Sequence, residues 1–187
     1  AGTGFYLETA QVHLAAFTVT ASGVKYTGIE ASLAGASVKG LDAFQLELLD
    51  LYAKVNQTSN TAVGAKLLDW SGVSEAPNVT LLSSEALAIG GKLKLSINDV
   101  VLVGASFDVA KQSGITVDDP DDDAALTLTG DLLTLDLTAS VFVGVGAFYN
   151  DANATDISIN ADAGTGFYLE TAQVHLAAFT VTASGVK

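Results

Sequence analysis

AGTGFYLETAQVHLAAFTVTASGVK, residues 1–25, returns letter for letter as residues 163–187. The offset is 163 − 1 = 162 residues, so the 187-residue chain reads as one full unit, 1–162, followed by the first segment of the next, 163–187. A fold constrains pattern and not identity, so 25 identical positions mean duplication rather than convergence. Within the segment Val12, Leu14 and Ala16 alternate with His13 and Ala15, and Phe17 and Val19 alternate with Thr18 and Thr20. Alternation with period 2 puts one set on each face of a half-buried strand. The repeated segment is therefore read as β.

The same period continues outward from it. Ile29, Ala31 and Leu33 alternate with polar neighbours, as do Phe44, Leu46 and Leu48, then Leu93, Leu95 and Ile97. Val101 to Val109 forms a long one-sided strand, and Leu126/Leu128, Leu133 to Leu137 and Val141 to Val145 follow. Ser22–Gly23, Gly35, Gly40, Ser59–Asn60, Ser71–Gly72, Gly90–Gly91, Asn98–Asp99, Ser113–Gly114, Asp118–Asp123 and Asn150–Asn153 are read as the punctuation between strands. Leu41, Phe44, Leu48, Leu51 and Val55 also fit a helical period, so a helix over 41–55 competes locally. The expected class is all-β. The unit is expected to be β-solenoid-like or an elongated stacked β-sandwich, continuing into the next repeat without a linker.

Composition narrows the function. Hydrophobic residues make up 49% of the chain and mean hydropathy is +0.42, enough for a core and too much for bulk disorder. Acidic residues number 21 against 8 Lys and no Arg, a net charge of −13. Such a surface repels nucleic acid and anionic headgroups, and lacks the bidentate guanidinium clamp. No Cys is present, which removes disulfides and thiolate metal sites. The longest apolar stretch, Ala139 to Tyr149, is too short for a membrane helix, and no membrane insertion is expected. The opening Ala, in place of Met, makes the chain read as an excerpt from something longer.

Two acidic groupings are candidate cation sites. Asp118, Asp119, Asp121, Asp122 and Asp123 place five carboxylates in six residues, whose repulsion a hard cation such as Ca²⁺ would relieve; a solvated loop accounts for the same letters. Asp151, Asn153, Thr155 and Asp162 fall at positions 1, 3, 5 and 12 of a calcium-loop spacing. Asp156 replaces the required Gly, Asp162 replaces the bidentate Glu, and the flanks are strand-like, so an Asn/Asp-rich hairpin explains this stretch too. His13 and His175 are one position seen twice, on the polar side of a strand, with no partner set for a metal or a triad. Trp70 is read as a core or edge aromatic. No cofactor is required by any of these residues, and no catalytic residue is named.

The run Phe142 to Tyr149, an Asn/Asp loop, and Gly164 to Leu169 resembles the junctions in giant bacterial adhesin-like repeat proteins, as does Gly40 to Phe44 leading to Val55–Asn56–Gln57. That resemblance implies a secreted or cell-surface stalk or filament without catalytic residues. The leading expectation is a non-catalytic structural repeat of an extracellular stalk, extender or filament. Its partners are copies of itself, head to tail. The alternative is a carbohydrate- or Ca²⁺-dependent adhesive module acting through avidity. A β-rich enzyme would need a carboxylate pair in a cleft, which nothing fixes, and an outer-membrane barrel is disfavoured by the absence of aromatic girdles. Phe5, Tyr6 and Leu7, with their duplicates Phe167, Tyr168 and Leu169, are expected to form the repeat junction. Segment 163–187 should present a surface like that at the start of the unit and favour head-to-tail contact or strand exchange.

Overall fold

Among the described residues the chain forms ten strands: β1 (Gly4–Leu7), β2 (Ala10–Thr18), β3 (Lys25–Lys39), β4 (Phe44–Thr58), β5 (Glu85–Ile97), β6 (Val101–Asp118), β7 (Leu126–Val145), β8 (Phe148–Tyr149), β9 (Ile159–Asn160) and β10 (Thr165–Val186). The structure, a computed structural model, describes residues 4–39, 41, 43–62, 65–120, 126–150 and 155–186. All but β8 and β9 belong to one antiparallel sheet. Strands β1 and β2 share one rank, both paired with β3. The others follow in sequence order, β3, β4, β5, β6, β7, β10, as a meander. Strands β8 and β9 form a separate two-stranded ribbon.

This all-β architecture is neither a solenoid nor a closed barrel. The sheet is open, with β1–β2 at one edge and β10 at the other. The helix that competed over 41–55 is replaced by β4, whose neighbours on both sides fix it as a strand. Gly35 and Gly90–Gly91 do not punctuate; they lie inside β3 and β5. Gly90 sits beneath the Tyr52 ring, where an added Cβ would stand 2.6 Å from the phenol. A true turn joins β5 to β6, with Asn98 and Asp99 both at φ +52°, a region these side chains tolerate. Among the described residues no helix is long and apolar enough to cross a membrane.

Register decides which side chains share a face. Reading across the seven ranks, Val12, Ala31, Ala53, Ile89, Val109, Leu135 and Leu176 stand opposite one another, all apolar. The neighbouring row on the other face is Gln11, Ser32, Tyr52, Gly90, Asp108, Asp136 and His175. These central rows are therefore apolar on one face and largely polar on the other.

Two connecting segments fold over the polar face and form the compact cores. The β4–β5 connection carries a 3₁₀ turn, Trp70–Gly72, and seats Trp70, Val79 and Leu81 beside Ala15 and Tyr26. Gly28 makes room for the indole: a Cβ there would lie 2.8 Å from Trp70. The β7–β10 connection carries the β8–β9 ribbon, and its Ile159 packs on Leu102, Phe142 and Tyr168.

Candidate functional site

The duplicated segment supplies both edges of the sheet. Strand β1–β2 binds β3 through one side, while its copy in β10 binds β7. Both copies place the same residues on the same faces. Tyr6, His13 and Ala15 stand on the polar face opposite Ser37, Glu30 and Gly28; Tyr168, His175 and Ala177 do so opposite Phe142, Asp136 and Thr134. Glu8 and Thr9 fall between β1 and β2, and their duplicates Glu170 and Thr171 fall at a register shift between Leu169 and Ala172. The irregularity is thus written in the segment itself.

Each copy has half of an environment. Tyr168 is half-buried under the Ile159 ribbon, whereas Tyr6 is 54% exposed. Ala15 lies against the Trp70 segment, whereas Ala177 is exposed. The ribbon comes from residues preceding the segment, and the Trp70 segment from residues following it. Phe5 and Phe167 remain 65% and 66% exposed on the apolar face, and Leu7 and Leu169 are exposed beside them. All six expected junction residues therefore lie on the two edge strands.

Asn56 pins the Trp70 segment. Its amide donates to the Leu68 carbonyl at 2.8 Å and the Leu82 carbonyl at 3.1 Å, and its oxygen accepts from the Trp70 indole N–H at 3.0 Å. Tyr149 pins the ribbon: its hydroxyl donates to the Leu95 carbonyl at 2.6 Å and accepts from the Val103 N–H at 3.1 Å. Burial raises the Tyr149 phenol to about 12. Lys94 sits 5.5 Å over the Tyr149 ring, a cation–π approach. Burial also pushes Tyr52 up to about 12, helped by its hydrogen bond to Asp108. None of these bonds was legible from local sequence, because each joins residues brought together by sheet register.

The histidine gains a partner that its sequence neighbourhood does not show. His175 Nδ1 lies 2.5 Å from Asp136 across the β7–β10 pair, while His13 stands opposite Glu30. A shallow concavity of about 610 Å³ runs between β2 and the Trp70 segment, lined in part by His13, Phe17, Trp70 and Glu75.

For the proposed cation sites, Asp121, Asp122, Asp123, Asp151 and Asn153 lie outside the described residues. Asp118 ends β6 opposite Thr127, and Asp119 follows it. The Thr155 carbonyl faces Lys92 at 3.5 Å, and Asp162 is exposed. Among the described residues no group of three or more His, Asp or Glu is placed to hold a metal ion. Compared with known proteins, the chain matches no protein-family model, no curated protein and no solved structure.

Proposed function

We propose that this chain is a non-catalytic structural repeat of an extracellular or cell-surface extender, in which successive units join into one continuous antiparallel sheet. The observation that carries the proposal is the pair of half-environments around the duplicated segment. Superposing the two copies gives a strand with β7 of one unit on one side and β3 of the next on the other. In that strand the tyrosine is covered by the preceding ribbon and the alanine by the following Trp70 segment.

Geometry permits the join. The two copies stand six antiparallel steps apart, an even number, so both run in the same direction. The row that begins at Gln11 ends at His175, the equivalent of His13, so register drifts by two residues across the sheet. An even drift keeps each side chain on its own face; a drift of one would exchange them. At roughly 4.8 Å per strand, each repeat advances the sheet by about 29 Å. Lysine, glutamate and aspartate on the polar face repeat with it and keep the array hydrated.

A chain lacking residues 1–24 tests this, because it bares the β3 edge that a second copy's β10 should fill. Light scattering should show it polymerising in steps of one chain, and a synthetic peptide of residues 1–25 should cap the growth. A chain that stays at one discrete small size, indifferent to the peptide, would count against the continuous sheet.

A further inference from the structure

We propose that the apolar face of the sheet is an interface for a second copy of this chain, two sheets pairing face to face as a sandwich. The polar face already carries the Trp70 segment and the ribbon. The opposite face carries no packed segment among the described residues. Its exposure is not an edge effect. Val12 at one edge is 69% exposed and Leu176 at the other 50%, but Ile89, on the central strand, is still 39% exposed. On β6 the apolar set runs unbroken from Val101 to Val109, and on β7 from Leu133 to Val143.

Area and charge both select the partner. Seven ranks at roughly 4.8 Å, with apolar stretches about ten residues long at ~3.3 Å each, make a patch on the order of 1,100 Å². Soluble monomers rarely expose more than a few hundred Å² of contiguous apolar surface, and a stable pair needs about 800 Å² from each partner. Of the charges that register places on this face, Lys111 and Asp131 bond to each other at 2.8 Å, and Lys25 and Asp118 stand at strand ends, outside the central apolar rows. Lys111 holds the Asp131 carboxyl below its ordinary range. Most of the net −13 is carried on the polar face, the strand ends, the turns and the connections, away from the central apolar rows. In the row Val12, Ala31, Ala53, Ile89 the two adjacent alanines leave a recess between larger side chains, which a second sheet can fill at the aligned angle of sandwiches. A bilayer is the rival occupant. For the single chain it is disfavoured because hydrocarbon does not tolerate unpaired strand edges, and the single chain's sheet has two.

The test uses the full chain. Sedimentation should give twice the 19.0 kDa chain mass at micromolar concentration. Leu93→Asp, at the middle of the central strand's apolar side, should weaken that dimer at least a hundredfold. Ser106→Asp, on the polar face of the next strand, should leave it intact. Both positions lie on inner strands, so exchange of edge strands would survive Leu93→Asp and be told apart. Should Leu93→Asp fail to fold, Leu93→Cys decides, since the chain has no other thiol. Mild oxidation should then link two copies through it, whereas Ser106→Cys should stay unlinked. A monomer at every concentration, a dimer unaffected by Leu93→Asp, an unlinked Leu93→Cys, or flotation with phosphatidylcholine vesicles would each overturn the proposal.

Discussion

Replacing Asn56 by Leu should release the Trp70 segment from the sheet while leaving the meander standing. Asn56 is 2% exposed and holds the segment at three points: the Leu68 carbonyl, the Leu82 carbonyl and the Trp70 indole N–H. Leucine keeps the approximate volume and removes all three bonds. A net value of about 1 kcal/mol per hydrogen bond gives about 3 kcal/mol, and orphaned buried groups raise the cost of staying closed further. Opening to water caps that extra cost, because the two carbonyls and the indole can then be hydrated. The closed-to-open ratio should therefore fall by roughly a hundredfold, at about 1.4 kcal/mol per decade. Trp70 is the chain's single tryptophan, so its fluorescence reports this segment alone. In urea the variant's fluorescence transition should move to markedly lower concentration and separate from the far-UV circular dichroism transition, which reports the strands. If the two transitions stay coincident, or the fluorescence shift amounts to less than about 0.5 kcal/mol, Asn56 is not the pin and the reasoning fails.

Two further outcomes follow from contacts on the polar face. Gly104 lies against the backbone of Ile157, and an added Cβ would overlap the Ile157 carbonyl oxygen. Gly104→Ala should cost about 1–3 kcal/mol, as overpacking does, and should open residues 146–164 to proteolysis; an unchanged melting curve and cleavage pattern would contradict it. The Tyr149 phenol ionises near 12 in the folded protein against an ordinary 10.0, because it is buried. Between those values the unfolded state has lost more protons than the folded one, so stability must fall as pH rises from about 10 to 12. Tyr149→Phe should flatten that part of the pH–stability curve, and an equally steep decline would show that Tyr149 is not responsible. Tyr52 shifts the same way and would supply the remaining slope.

Strand identity was legible because period 2 is local. Val101 to Val109 and Leu133 to Leu137 read as one-sided strands and are so. Glycine misled where its role was spatial: Gly90 yields to the Tyr52 ring and Gly28 to the Trp70 indole, contacts made across strands. The sequence assigned Trp70 to a core or an edge; its partner Asn56 emerged only from the fold, 14 residues away along the chain. Solenoid and sandwich were both expected, and a single open meander was found, because alternation specifies two faces without specifying what each face meets.

The duplicated segment separates the two kinds of information. By itself it determined a strand, the residues on each face, and a break at Glu8–Thr9 that recurs at Glu170–Thr171, since pleat and local irregularity travel with the letters. Its last residues behave differently. Val19 to Val24 form a turn, with the Val19 N–H donating to the Val24 carbonyl at 2.9 Å and Gly23 at φ +72°. The same letters at Val181 to Val186 run on as strand, paired with Leu126 to Gly130. The turn forms where β3 follows and offers a partner for the returning chain. Where β7 extends alongside, its unpaired backbone groups take up the segment instead. Hydrogen-bonding groups must find partners, and only the tertiary neighbours decide which ones are there.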